Sequence, residues 1–196
     1  MRTIASAIGK QNIVARANAS LGIVRSDRLQ PKELNNQAFQ NAYDKLADKE
    51  PWHHLAVDMQ QAFGLRILES LGSHKTVEYD GKQLLQVEWA KGGREREIEI
   101  RSELQVATLG AVQSHIASNG LKSLIPEGLS KLDGYRAHMN MLHRVGMTRE
   151  NGCNSHVLRH EFARAELARG VDRQSLAETL GHGRPEVTYH YSASSG

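Results

Sequence analysis

The sequence predicts a mainly α-helical domain that carries one small three-stranded antiparallel β-sheet, an α+β arrangement, and three observations support this. Apolar residues recur at helical spacing over most of the 196 positions. The hydrophobic period drops to two only between residues 76 and 100. Within that stretch Asp80-Gly81 and Lys91-Gly92-Gly93 supply the residues that hairpin turns require. With 39% hydrophobic residues, a chain of this length buries a sizeable core in one main domain plus an appendage.

The elements follow in order. Residues 1–27 hold only short apolar groups (Ile4 and Ala5, Ile13 and Val14, Ile23 and Val24) broken by Gly9, Asn18, Gly22 and Ser26, too little to fold independently. Pro31 suits a first helical turn, and Leu34, Phe39, Tyr43 and Leu46 continue a helix to about Asp48, with Pro51 marking its end. Leu55 to Phe63 reads as a buried helix that Gly64 terminates, followed by a second helix from about Arg66 to Leu71. Strands are expected at 76–79, 83–89 and 95–100. Helical spacing returns from Glu103 to Asn119 and from Leu129 to Val145, around Gly134. Ser155 is expected to cap a helix that Gly170 closes, Asp172 another that ends at Gly181, and Pro185 to open a short one carrying Tyr189 and Tyr191.

Composition excludes several classes of function. At 24% charged residues and a mean hydropathy of −0.51, the chain has no run near the ~18 apolar residues of a membrane span, so no membrane association is expected. Mixed sequence follows Arg2 where a secretory leader would be apolar. Cys153 is the only cysteine, which rules out an internal disulfide and any Cys-x-x-Cys motif. A cytoplasmic location is expected, nucleoid-associated in a bacterium. The net charge of +3 and pI of about 9.1 are compatible with a polyanionic partner, as they are with many proteins that never meet nucleic acid.

Candidate chemistry is scattered along the chain. His156-Val-Leu-Arg159 places an imidazole and a guanidinium on one face near a helix start, where backbone N–H groups favour an anion. Alone this motif carries nothing: ten histidines and sixteen arginines in 196 residues produce a His-x-x-Arg by chance roughly 0.8 times. Arg66 has an ordinary reading as a solvated partner of a nearby acid, Lys91 as an exposed turn lysine and His182 as a helix C-cap. Tyr191 has one as a core or surface residue. A metal site finds no support. The neighbours His53-His54 point apart, and Arg164 stands where His-Glu-x-x-His needs its second histidine after His160-Glu161.

The order of these residues is what counts. Gly64-Leu65-Arg66 with Glu69, then Lys91, then His156-Val157-Leu158-Arg159-His160, then Leu180-Gly181-His182, then Tyr191 nine residues later resembles the tyrosine recombinase family of the phage-integrase type. The resemblance runs over roughly residues 28–191. It implies the fold of the recombinase catalytic domain, with 28–196 as that domain and 1–27 as a linker with the last helix of a preceding core-binding domain. It implies strand cleavage and rejoining through a 3′-phosphotyrosine at Tyr191, with Arg66, Lys91, His156, Arg159 and His182 catalytic and Glu69 in support. Double-stranded DNA is the implied partner, and the whole protein is expected to form a tetramer on it.

Elementary chemistry agrees with this assignment. Phosphodiester transfer needs an in-line nucleophile and cations on the non-bridging oxygens, and Arg66 and Arg159 offer bidentate donors that lysine does not match. By the resemblance His156 is the candidate base, His182 a phosphate donor and Lys91 the acid for the leaving 5′-hydroxyl. Transesterification conserves the bond energy, so no cofactor is expected. Tyr189 is a rival phenol, rejected on spacing. The resemblance implies a preceding core-binding domain and a C-terminal exchange helix, for which residues 1–27 and 192–196 are too short, so a piece of a longer protein or a short or degenerate family member is expected. The rival functions are a catalytically silent DNA-binding module and a type IB topoisomerase activity. Arg66, His156, Arg159 and His182 are expected to converge on one electropositive pocket.

Overall fold

The computed structural model describes residues 33–90, 93 and 95–182. Helix α1 (Asn36–Ala47) starts on Asn35, whose side chain accepts from the Ala38 N–H. The expected start at Pro31 gives way to this cap, because an asparagine at the N-cap satisfies an otherwise orphaned N–H. Helix α2 (Pro51–Phe63) takes Pro51 as its first residue, and Gly64 ends it in the left-handed region at φ 62°. Its residues contribute to two apolar clusters at once: Trp52, Ala56, Met59 and Phe63 to one, Val57 to the other. That explains why α2 reads as apolar on more than one face.

The sheet follows in the order β1 (Thr76–Tyr79), β2 (Lys82–Val87), β3 (Arg96–Glu99), with both neighbouring pairs antiparallel. Tyr79 pairs with Lys82 across a two-residue turn in which Asp80 and Gly81 both have positive φ, the geometry that Asp-Gly favours. Leu85 faces Ile98, and these two with Val87 form the buried side of the sheet against α2 and α3 (Glu103–Ser118). Strand β2 stops two residues before the expected Trp89, which has φ 59° and so leaves the extended region.

Helix α3 opens with a capping box between Ser102 and Gln105. Helix α4 (Lys131–Val145) is capped by Ser130, and α5 (Ser155–Ala168) by Asn154 rather than the expected Ser155, which becomes its first residue. Asp172 caps α6 (Arg173–Thr179) by accepting from Gln174 and Ser175. A second cluster joins α1, α2, α4 and α5 through Phe39, Leu46, Val57, Leu142 and Leu158, and a third joins α5 to α6 through Phe162, Leu176 and Leu180. Each such buried side chain contributes about 1.5–3 kcal/mol. The expected helix from Arg66 to Leu71 is instead a turn followed by a short 3₁₀ segment, Glu69–Leu71.

Gly64 is a tight point in this frame. A Cβ there would lie 2.4 Å from the Phe162 ring, on a backbone only glycine adopts without strain. Gly64→Ala is therefore expected to cost about 2–5 kcal/mol, the sum of left-handed strain and overpacking. Urea unfolding measures this, and a change below about 1 kcal/mol would show that α5 can move aside.

Among the described residues, His53, His74 and His138 are part of the core. His53 and His138 stack with their Nδ1 atoms 3.0 Å apart, and the His74 Nε2 lies 2.9 Å from the Ser70 carbonyl. Burial pushes His53 and His74 down to about 4 and His138 to about 3. In the unfolded chain they protonate near 6.5, so between that value and their folded values unfolding takes up protons. Their contribution is complete above about pH 6.5 and is lost as the pH falls towards 4, by about 1 kcal/mol per pH unit for each histidine. Denaturant titrations at pH 7.5 and 5.5 should show that fall, and equal stabilities would mean that these rings are already hydrated.

Candidate active site

The turn after Gly64 brings Glu69 back onto Arg66. The Arg66 backbone N–H donates to Glu69 Oε2 at 2.8 Å and its Nη1 to Oε1 at 2.7 Å. The same carboxylate receives a bidentate pair from Arg96 at the start of β3, with Nη1 to Oε1 at 3.0 Å and Nη2 to Oε2 at 2.9 Å. Arg159 on α5 comes within 3.9 Å of Oε2. One side chain that is 1% exposed thus gathers three guanidinium groups, of which Arg66 is the most open at 31%. Burial pushes the Glu69 carboxyl up, but the hydrogen bonds and charge of Arg96, then those of Arg66, hold it down to about 2. These four side chains together carry +2, a local field that attracts anions.

Two helix ends complete the arrangement. Arg159 Nη1 donates to the carbonyl of Gly64, which ends α2, and Nη2 to that of Leu180, which ends α6. Arg96 Nε donates to the Thr179 carbonyl at 2.7 Å, and Arg66 Nη2 to Gly181 at 3.4 Å. The last carbonyls of a helix have no partner within it and carry its negative end, so cations belong there. Gly181, at φ 61°, lets the chain pass so close to Arg96 that a Cβ would lie 3.1 Å from the guanidinium. This is the physical content of the Leu180-Gly181-His182 motif.

His182 follows directly, with its Nε2 3.5 Å from Arg159 Nη2. Burial, then the charges of Arg159, Arg66 and Arg96, push it down to about 4, so it is neutral at pH 7. His156 is exposed in the first turn of α5, and its Nε2 lies 2.9 Å from His160 Nε2. One of the two imidazoles must donate and the other accept. Burial and then the neighbouring charges of His156, Arg164, Arg159 and His182 push His160 down to about 4.

Of the residues expected from sequence, the structure brings Arg66, Glu69, Arg159 and His182 together, while His156 packs on its helix neighbour His160. Lys91 and Tyr191 lie outside the described residues, as does Tyr189. Beside Arg66 and Glu69 opens a cavity of about 540 Å³ that Leu68, Trp89, Ala90, Gly93, Glu95 and Lys131 also line. Lys131 Nζ sits 4.5 Å above the Trp89 ring. Sequence reasoning missed Arg96 and Lys131. Arg96 lies in the alternating Arg94-Glu95-Arg96-Glu97 run and reads there as a solvated face; its one signal is the β-strand register that turns it opposite to Glu97.

Residues 28–196 match the family described as "Phage integrase family". No curated protein matches the chain. Among solved structures, the catalytic domain of bacteriophage HP1 integrase is 22% identical with a TM-score of 0.51, over 84% of this chain and 88% of that one. The XerH site-specific recombinase in a pre-cleavage complex with its difH substrate is 19% identical with a TM-score of 0.56, over 83% of this chain and 50% of that one. A lambda integrase tetramer bound to a Holliday junction is 18% identical with a TM-score of 0.61, over 96% of this chain and 55% of that one. The chain therefore spans about half the length of the last two.

If the Glu69 carboxylate holds the arginines in place, Glu69→Gln keeps the shape but leaves three cations facing one another. The expected loss is about 3 kcal/mol or more at pH 7, as for a buried ion pair stripped of one partner. Urea denaturation reads it. A loss under about 1 kcal/mol would mean that the guanidinium groups separate without cost.

Proposed function

The chain belongs to the phage integrase family, and from that membership we propose that it is a site-specific DNA recombinase that cuts and rejoins strands through a phosphotyrosine. The observation that carries this reading is the convergence of Arg66 and Arg159 on the Glu69 carboxylate with His182 beside Arg159, a cationic corner suited to a phosphodiester. The two arginines hold the non-bridging oxygens as charge builds on them. His182, neutral beside them, donates or orients through a ring nitrogen. Glu69 supports and does not react.

In the proposed step the Tyr191 phenolic oxygen attacks the scissile phosphorus and gives its proton to His156. The bond from phosphorus to the 5′-oxygen breaks, and Lys91 protonates that oxygen as it leaves. The product is a 3′-phosphotyrosine and a free 5′-hydroxyl. A 5′-hydroxyl from another strand reverses the sequence, so the phosphodiester bond energy is conserved and no nucleotide is consumed. Residues 28–196 form the catalytic domain in this reading, and residues 1–27 lead into it from a core-binding domain. Double-stranded DNA is the substrate and a tetramer on DNA the working assembly of the whole protein; the XerH complex with its difH substrate and the lambda integrase tetramer on a Holliday junction support this reading.

Covalent trapping is the test. Incubated with a library of nicked duplexes from which the fragment bearing the new 5′-hydroxyl is lost, the 196-residue chain should form a DNA adduct that survives denaturing gels. Tyr191→Phe should abolish the adduct with DNA affinity changed less than about twofold, and Tyr189→Phe should retain it. An adduct that persists in Tyr191→Phe overturns the assignment of the nucleophile. Affinity without any adduct would identify a silent binding module. Relaxation of supercoils without strand exchange between duplexes would identify a topoisomerase.

A further inference from the structure

Arg96 is the least exposed of the cluster's cations after Arg159, at 10% for its side chain, and it makes three directed bonds. Its guanidinium forks onto both Glu69 oxygens while Nε reaches back to the Thr179 carbonyl at the end of α6. Its side chain also lies against Gly181, whose carbonyl accepts from Arg66. Arg96 comes from β3, Glu69 from the turn after α2 and Thr179–His182 from the end of α6. It is therefore the strut between the sheet and the two segments that carry Arg66 and His182. Five donors are available to it, and three are spent on these bonds, all facing the cluster rather than solvent.

We propose that Arg96 is a positioning residue for strand transfer: through Glu69 and the Thr179–Gly181 backbone it sets the placement of Arg66 and His182 without itself touching the phosphate. This inference rests on the strand-transfer reading above. A lysine at this position would keep the charge but could not hold two carboxylate oxygens and a carbonyl in one plane. Residues that fix the orientation of a reacting group act on rate more than on affinity, because a displacement near 1 Å costs about 10²-fold in a step that demands alignment. Arg96 also faces His182 together with Arg159, Arg66 and His160, the titratable and charged groups around that ring.

The experiment combines two readouts on the 196-residue chain. The first is the rate of covalent adduct formation on the trapping substrates, set against DNA affinity. Arg96→Met should slow the adduct about 10²-fold with affinity changed less than about threefold. Arg96→Lys, the variant more secure in its folding, should still be slowed about tenfold. In a Glu69→Gln background Arg96→Met should add less than about threefold, since both act through the same contact. The second readout is the imidazole titration of His182 by NMR, assigned with His182→Asn. Arg96→Met should raise its midpoint by about one unit, and Arg96→Lys, which keeps the charge, should leave it near the unaltered value. Fully additive rate losses, an unaltered rate in Arg96→Lys, or a His182 midpoint indifferent to Arg96→Met would each overturn the proposal. Should the unaltered chain form no adduct at all, the strand-transfer reading fails, and the His182 titration alone decides whether Arg96 sets this pocket.

Discussion

Without the Glu69 carboxylate, three guanidinium groups from three separate elements would face one another across a few ångströms. At an effective dielectric near 20, two unit charges 4 Å apart repel by about 4 kcal/mol, and there are three such pairs. Glu69 converts that repulsion into attraction because each arginine comes within 3.9 Å of one of its oxygens. Stability alone does not explain such an arrangement. Buried ion pairs are often replaced by apolar side chains at no loss or with a gain. What apolar residues cannot supply is a surplus of positive charge held at a defined place, and the four side chains supply +2. The cluster is better understood as a device for holding charge than for holding the fold.

The backbone shares in this. Helices α2 and α6 both end at the cluster, and their terminal carbonyls accept from Arg159, Arg96 and Arg66. A helix end that terminates in the interior needs donors for its last carbonyls, and the arginines need acceptors where water is scarce. Each requirement meets the other. The glycines at these two ends follow from the same need: Gly64 admits the Phe162 ring of α5 beside it, and Gly181 admits the Arg96 side chain. The fold thereby fixes the direction of each guanidinium through at least two acceptors, which a flexible surface arginine lacks.

Much of this was legible in the sequence, and the reasons are local. The sheet announced itself because period-two alternation and an Asp80-Gly81 turn are both short-range signals, and the helix ends at Gly64 and Asp172 because caps are too. The segment from Arg66 to Leu71 deceived: its composition suits a helix, but Glu69 turns back to accept from the Arg66 backbone N–H, and that bond closes a turn instead. Asn154 displaced Ser155 as a cap by one residue for want of any signal that separates the two. Arg96 was invisible for a different reason. Its partners are 27 and 83 residues away in the chain, and nothing in a charge-alternating strand distinguishes an arginine that faces a buried acid from one that faces water. The motif residues were easier because their order, rather than their surroundings, carried the information.

The charges that would draw a phosphate into this corner also keep His182 neutral, and the two effects are coupled. Burial disfavours the imidazolium first, and the fields of Arg159, Arg66 and Arg96 add to it. An anion seated among those arginines offsets their field at the ring, so its arrival moves His182 back towards protonation. A proton taken up in that way would give the ring a second donor towards the anion. The same arginines would otherwise face a permanent imidazolium, a fourth cation that Glu69 alone could not balance. Neutrality of His182 spares the single Glu69 carboxylate a fourth cation to balance.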